Sequence, residues 1–294
     1  MKLLITGSNG LLGQKIVNQC LKRGIDFIAC SKAENRNSRC PENQYLSLDI
    51  RDEVAIITYL ESIKPTHIIH TAAMTNVDQC ELNPKECEEI NVKATIILWK
   101  ASINLGIHFQ LLSTDFVFDG SKGNYSENDK PNPLSIYAKS KVNAEEILLK
   151  SENLDWSIIR TIIVYGEGEN LSRTNLICWA KETLAKNQPM SIVDDQFRAP
   201  TWADDLAWAC IRICELNKRG IYHISGPETM SVFEIVMRVA KFYGLQTKAI
   251  QRTNSLTLNQ PARRPPKTGF NITKARIELF YAPKTLEETL ALLV

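Results

Sequence analysis

The period of the apolar positions changes repeatedly along the chain, and each change marks an element. A short hydrophobic run, Leu4-Ile5-Thr6, breaks into Gly7, Gly10 and Gly13 and resumes with Ile16, Val17 and Leu21 at helical spacing. That pattern predicts a strand, a tight turn and a helix. Strand-like runs at Asp26–Cys30, Tyr45–Leu48, His67–Thr71, His108–Ser113 and Trp156–Arg160 then alternate with helical patterns near Glu53–Ser62, Pro84–Leu105 and Leu134–Lys150. Such alternation predicts an α/β fold, a doubly wound parallel sheet of Rossmann-like type with helices on both faces. From about Tyr165 the punctuation changes: Gly166, Gly168, Pro189, Pro200, Pro227, Pro261, Pro265, Pro266 and Pro283 interrupt shorter elements. The expected organisation is a dinucleotide-binding domain over residues 1–164 and a smaller part over residues 165–294 packed on the sheet's C-terminal edge, with an interleaved boundary.

Composition narrows the partners. With 294 residues, 44% of them hydrophobic and 23% charged, the chain can bury a sizeable core. A net charge of +2 gives no electrostatic case for nucleic acid or an acidic membrane surface. No secretory leader or membrane-spanning run is read at Met1-Lys2-Leu3 or beyond, so a cytoplasmic protein is expected, with a homodimer as the candidate assembly. The 8 cysteines include no C-x-x-C pair and read as free thiols in a reducing compartment. His67, His70, His108 and His223 lack ligand spacing, so no metal is expected.

The glycine turn is the first candidate for chemistry. Glycine permits a positive φ, close approach of backbone to a diphosphate, and tight packing of helix on strand, and the following helix N-terminus offers free N–H groups. The spacing G-x-x-G-x-x-G is one residue wider at its start than the commonest dinucleotide fingerprint. At the end of the second strand, where a carboxylate would accept a ribose 2′-hydroxyl, the chain has Cys30 or Ser31, followed by Lys32 and Arg36. This favours NADPH, with NADH as the alternative. Further on, Ser113-Thr114-Asp115 ends a strand, and Tyr137 and Lys141 stand i,i+4 on the next helix, on one face. A phenol of pKa about 10 becomes a useful proton donor and acceptor when a neighbouring cation favours its phenolate, as Lys141 beside an oxidised nicotinamide would. A hydroxyl from Thr114 or Ser113 would hold the substrate oxygen.

Together these residues resemble the extended short-chain dehydrogenase/reductases, and within them the dTDP-4-dehydrorhamnose reductase family. The resemblance covers nearly the whole chain: Thr6 to Gly13, Thr71 to Asp78, Ile90-Asn91-Val92, Ser113 to Phe118, Tyr137 to Lys141, Asp195 to Thr201, and Arg264-Pro265. It implies that Thr114, Tyr137 and Lys141 are catalytic, with Lys141 also bonding the nicotinamide ribose. It implies a cofactor site of Gly7, Asn9, Gly10, Leu11, Leu12, Gly13, Ser31, Lys32, Arg36, Asp49, Ile50, Ala72, Ala73, Met74, Tyr137 and Lys141. Thr75, Val77, Thr114, Asp115, Phe116, Ile163, Arg198 and Arg264 would face a nucleotide-sugar, whose 4-keto group would be reduced, most readily dTDP-4-dehydro-L-rhamnose to dTDP-L-rhamnose. The alternatives are another nucleotide-sugar enzyme of the extended family, such as an epimerase, and an NADP-binding regulatory subunit similar to the methionine adenosyltransferase β subunit.

Two positions depart from the family. Phe116 stands where members commonly carry Tyr, and Ile163 where they carry Trp, so two hydrogen-bonding aromatics are absent from the expected sugar pocket. Arg198 stands where many relatives have glycine and is expected either on a diphosphate or in a structural ion pair. The Arg263-Arg264-Pro265-Pro266-Lys267 cluster reads as a solvated loop or a phosphate contact. Asp204-Asp205 reads as a helix N-terminus.

Overall fold

The computed structural model describes residues 1–293 and is organised on a seven-stranded parallel sheet. Its strands are β1 (Lys2–Thr6), β2 (Asp26–Ser31), β3 (Tyr45–Ser47), β4 (His67–His70), β5 (His108–Thr114), β6 (Trp156–Thr161) and a last strand, Gly220–Ile224. From one edge the order is Gly220–Ile224, β6, β5, β4, β1, β2, β3. The chain therefore winds outward from β1 to β3 and returns to β4 on the other side of β1. Thr6 of β1 pairs with both Cys30 and His70. The carboxyl ends of β1 and β4 consequently open the crevice at which such sheets hold ligands.

Alternation along each strand divides the core. Leu3 and Ile5 face one cluster with Ile16, Val17 and Phe27, while Leu4 faces the other with Ile68, Phe109, Leu98 and Ala144. β4 and β5 are buried throughout, as a parallel sheet covered on both faces requires. The covering helices are α1 (Leu11–Arg23), α2 (Glu53–Ile63), α3 (Val77–Leu82), α4 (Pro84–Glu88), α5 (Ala94–Leu105) and α6 (Ile136–Leu149). Several begin on polar caps: Asp52 accepts from Ala55 N at 3.0 Å, Asn76 from Gln79 N at 3.1 Å and Ser135 from Ala138 N at 3.3 Å.

The single helix expected over Pro84–Leu105 is interrupted. Glu89–Lys93 forms a π-helical turn between α4 and α5, a wider turn that occurs chiefly at functional sites. It carries Asn91, whose amide is bonded outside its own helix.

Residues beyond 164 join the sheet as well as forming the smaller part. Gly220–Ile224 extends the sheet beside β6, and the helix Ala203–Glu215 lies against α1, where Lys15 meets Asp204 at 3.0 Å. Asp204 and Asp205 do begin a helix, but they act on other elements: Asp205 accepts from Lys284 N and Nζ at 2.9 and 2.8 Å. The helices Leu176–Ala185 and Val232–Phe242 and the strand pair Met190–Val193 with Ile250–Thr253 enclose a third apolar cluster. Among the described residues no helix is long and apolar enough to cross a membrane.

Candidate active site

The glycine turn closes the crevice from below. Gly7 has φ +70°, and a Cβ there would lie 2.7 Å from Ala72 N. A Cβ on Gly13 would lie 2.4 Å from the Gly7 carbonyl oxygen, so α1 packs against the loop at a distance only glycine allows. Gly10 caps α1 without a side-chain hydrogen bond, which leaves the first N–H groups of the helix, at Leu11 and Leu12, for an anion. This donor set fits the diphosphate of a dinucleotide.

Asn9 serves the crevice indirectly. Rather than pointing to the cofactor, its side chain braces the loop after β2: Nδ2 donates to Glu34 O at 2.8 Å and Tyr45 Oη at 3.2 Å, and Oδ1 accepts from Arg36 N at 2.9 Å. Beyond the end of β2 at Ser31, Lys32 Nζ lies 3.4 Å from an Asp49 carboxylate that Arg51 already binds at 2.6 Å. The Arg51 hydrogen bonds hold the Asp49 carboxyl well below the usual range. Lys32 and Arg51 thus share one carboxylate and leave a local positive excess, which suits a phosphate on the adenosine ribose, while the Arg36 guanidinium reaches Asn170 O at 3.4 Å. Ile50 is buried in the core beside them.

Thr114 ends β5, and Tyr137 and Lys141 stand one turn apart on α6 just after the Ser135 cap. The three are nearly enclosed, at 7%, 8% and 4% exposure. Burial pushes the Tyr137 phenol up, against the Thr114 hydroxyl and the Arg173 charge, which act to lower it. Burial pushes Lys141 down to about 8, opposed by Glu145. The depression of Tyr137 expected from Lys141 is therefore not the state of the protein alone: desolvation outweighs the nearby cations, and Tyr137 is a neutral phenol. Met74, Val77 and Phe116 pack around it, Phe116 edge-on at 6.3 Å between ring centres. Ala72 and Ala73 follow β4 into the crevice, and Met74 is held there by Asn91.

A cleft of about 350 Å³ reaches the site through Phe116, and Ile163, Trp179, Gln196, Arg198 and Arg264 are among its other lining residues. Ile163 holds φ +33°, an unusual backbone for a β-branched residue. Two expected contacts take other partners. Arg198, 1% exposed, cannot reach out to a diphosphate, because its guanidinium donates to Pro265 O at 2.6 Å, Phe197 O at 2.8 Å and Pro266 O at 3.1 Å and faces Asp115. It is the structural ion pair of the two alternatives. Asp115, expected on the substrate, is 3% exposed, with both oxygens engaged by Thr114, Thr268 and Arg198. Arg264 lines the cleft while paired to Asp78 at 2.7 Å. Thr75 is not among the residues that line this cleft; its hydroxyl accepts from Arg173 at 2.7 Å.

Residues 1–294 match the family model described as the RmlD substrate binding domain. The chain belongs to this family. Membership makes it an extended short-chain dehydrogenase/reductase and an NAD(P)H-dependent oxidoreductase. It is 34% identical to a dTDP-4-dehydrorhamnose reductase of Aggregatibacter actinomycetemcomitans, over 81% of this chain and 78% of that one. It is 29% identical to the methionine adenosyltransferase 2 subunit beta of Xenopus laevis, over 85% and 74% of the two chains. The solved structure of dTDP-4-dehydrorhamnose reductase from Bacillus anthracis in complex with NADP superposes with a TM-score of 0.87 at 26% identity, covering 99% and 98%.

Within this RmlD-family site, sequence reasoning passed over four residues. Arg51 was signalled only by its place two residues after Asp49. Gln14 looks like an ordinary helix residue, yet it exchanges hydrogen bonds with Glu169 N and O at 2.8 and 2.7 Å and ties the segment after β6 over the glycine turn. Arg173 in that segment and Thr268 near the C-terminus carry no local pattern. His70, by contrast, lies between the hydroxyls of Thr6 at 2.8 Å and Thr95 at 3.2 Å and is held neutral by burial.

Proposed function

We propose that this nucleotide-sugar reductase uses NADPH to reduce the 4-keto group of a nucleotide-linked 6-deoxy sugar, with dTDP-4-dehydro-L-rhamnose as substrate and dTDP-L-rhamnose as product. The observation that carries the reading is the neutral, enclosed Tyr137, packed edge-on against Phe116, which lines the cleft with Ile163. Carbonyl reduction needs a proton donor at the oxygen, and a phenol kept protonated by burial is in the correct state to give one. Bound in the crevice, reduced nicotinamide supplies the hydride. Leu11, Leu12 and the cations at Lys32, Arg36 and Arg51 would hold the dinucleotide, and Met74 and Lys141 would border its nicotinamide end. Lys141, with a pKa near 8, is mostly cationic at neutral pH and stabilises negative charge that develops as Tyr137 gives up its proton. Phe116 and Ile163 offer an apolar wall, which suits the methyl group of a 6-deoxy ring better than a hydroxyl.

A second reading, an NADP-binding regulatory subunit, is favoured by the likeness to the methionine adenosyltransferase β subunit. One experiment separates the two: a panel of 4-keto sugar nucleotides assayed by loss of NADPH absorbance. Turnover of dTDP-4-dehydrorhamnose supports the proposal, turnover of a different sugar corrects its substrate, and NADPH binding without turnover of any member favours the regulatory reading.

A further inference from the structure

We propose that Arg173 receives the diphosphate of the nucleotide-sugar, and that its contact with Thr75 is the resting place it leaves when that ligand enters. The proposal rests on the reductase reading of this site.

A nucleotide-sugar carries a diphosphate between its two ends, and the planar fork of an uncommitted guanidinium matches phosphate oxygens in both charge and geometry. The two arginines expected on the substrate are committed elsewhere. The Arg198 guanidinium is enclosed and directed to the carbonyls of Phe197, Pro265 and Pro266, and Arg264 is neutralised by Asp78, to which both of its terminal nitrogens donate. Arg173 differs from both. It is exposed, and among the described residues it has no carboxylate partner: Nη2 donates to Thr75 Oγ1 at 2.7 Å, both terminal nitrogens reach Thr75 O only at 3.5 Å, and Nε makes no hydrogen bond. A neutral hydroxyl and a distant carbonyl are weak partners for a guanidinium, and a phosphate can displace them.

The segment that carries Arg173 is closed at its base and tied to the crevice. Asn175 Nδ2 donates to Gly166 O at 2.8 Å, while Gln14 Nε2 donates to Glu169 O at 2.7 Å and Gln14 Oε1 accepts from Glu169 N at 2.8 Å. Two observations locate the guanidinium. Its charge acts on the Tyr137 phenol and on the Cys80 thiol, which packs with Tyr137 in one cluster. Three residues further on, Leu176 begins the helix Leu176–Ala185, and Leu176 and Trp179 of that helix line the cleft that Phe116 and Ile163 share. Arg173 therefore stands between the proton donor and the apolar side of the cleft. A nucleotide-sugar laid across the two, with its sugar at Tyr137 and its nucleoside toward Trp179, brings its diphosphate to Arg173. The cofactor's own diphosphate has a separate set of donors, the free N–H groups that follow Gly10 at the start of α1.

The test separates substrate from cofactor. Calorimetric titration of dTDP into the NADP-loaded protein measures the diphosphate contact without turnover. In Arg173→Ala, dTDP should bind roughly tenfold or more weakly, because a charge-assisted contact is lost, while the NADPH dissociation constant should stay within about twofold of the parent. Arg173→Lys, which keeps the charge and loses the fork, should fall between. Added salt should weaken dTDP binding in the parent and do so less in Arg173→Ala. In turnover of dTDP-4-dehydrorhamnose, KM should rise by a similar factor at nearly unchanged kcat, the pattern of an interaction equally strong in the ground and transition states. Equal affinity for dTDP in the parent and Arg173→Ala overturns the proposal, as does a parent that binds no dTDP. A variant in which the NADPH dissociation constant alone moves also overturns it and assigns the guanidinium to the cofactor. If the parent reduces no keto sugar nucleotide, the reductase reading fails, and the dTDP titrations on the same samples still decide whether Arg173 receives a nucleotide diphosphate.

Discussion

Asn91 holds Met74 by both of its backbone groups: Met74 N donates to Asn91 Oδ1 at 2.8 Å, and Asn91 Nδ2 donates to Met74 O at 3.0 Å. The same amide reaches Ser140 Oγ on α6 at 2.9 Å, between Tyr137 and Lys141. One buried side chain thus sets the spacing between the crevice loop and the helix that carries the phenol and the ammonium. Its removal in Asn91→Ala leaves buried backbone polar groups without partners, at a cost of about 1–3 kcal/mol. Both NADPH affinity and kcat should fall, and Asn91→Asp, which keeps the acceptor and loses the donor, should lie between. Unfolding midpoints and NADPH titrations of the two variants check this, and parent-like values in both would remove Asn91 from the site's scaffold.

Tyr137→Phe removes one hydroxyl and leaves the ring packed against Met74, Val77 and Phe116. The variant should fold and bind NADPH within a few-fold of the parent, yet lose at least about 10²-fold in kcat, the scale of a missing general acid. Retention of most of the activity would move the proton donor elsewhere.

Lys141 links function to pH. Its folded-state pKa of about 8 lies below the ordinary 10.5, so between those values the native protein has released a proton that the unfolded chain still holds. Stability should therefore rise as pH increases through this window, as the cost of a buried ammonium is relieved. NADPH binding should move the opposite way and weaken above about pH 8, where the charge that faces the anionic cofactor is lost. Lys141→Met should flatten both dependences. Urea titrations and cofactor dissociation constants at pH 7 and pH 9.5 give the two signs independently.

Lys32, Arg36 and Arg51 define the cofactor prediction. Lys32 is exposed and shares Asp49 with Arg51, so its charge is open to solvent and to a phosphate alike. The unaltered protein should bind NADPH more tightly than NADH, and reversing Lys32 and Arg36 to Glu should narrow or invert that preference. Equal dissociation constants in the parent would refute it.

Much of this fold was legible because its signals are local. Strands β1 to β6 are apolar runs bounded by turns, α6 starts after the Ser135 cap inside the helical pattern of Leu134–Lys150, and Gly7 and Gly13 are needed within a few residues of where they stand. The parts that were not legible depend on residues far apart in sequence. Nothing in Gly220–Ile224 announces that it pairs with β6 instead of with its neighbours in the smaller part. The π turn at Glu89–Lys93 exists to serve contacts of Asn91 outside its own helix, which no helical period records. Arg198 looked like a candidate phosphate ligand because an arginine's charge is visible in sequence and its enclosure is not. The carbonyls of Pro265 and Pro266 that absorb it become apparent only once the chain has folded back.

Ile163 combines strain with specificity. Its φ of +33° follows β6, where Thr201 N donates to the carbonyls of Ile162 and Ile163, both at 3.1 Å, and Thr201 Oγ1 to Ile162 O at 2.6 Å. These bonds hold the chain in a bend that a β-branched residue resists, and the bend brings Ile163 to the cleft wall beside Phe116. Truncation to alanine removes the apolar wall but keeps a Cβ, whereas truncation to glycine removes both. At an ordinary position glycine would be the less stable of the two by roughly 0.5–1 kcal/mol. Here the order should reverse, with Ile163→Gly more stable than Ile163→Ala by about 1 kcal/mol, because only glycine is free of the Cβ penalty at positive φ. Both variants should lose kcat/KM for the 6-deoxy sugar to a similar extent, since both lose the wall. Urea midpoints that place alanine above glycine would show that the bend is unstrained, and a loss of activity in one variant alone would separate the backbone from the wall as the source of specificity.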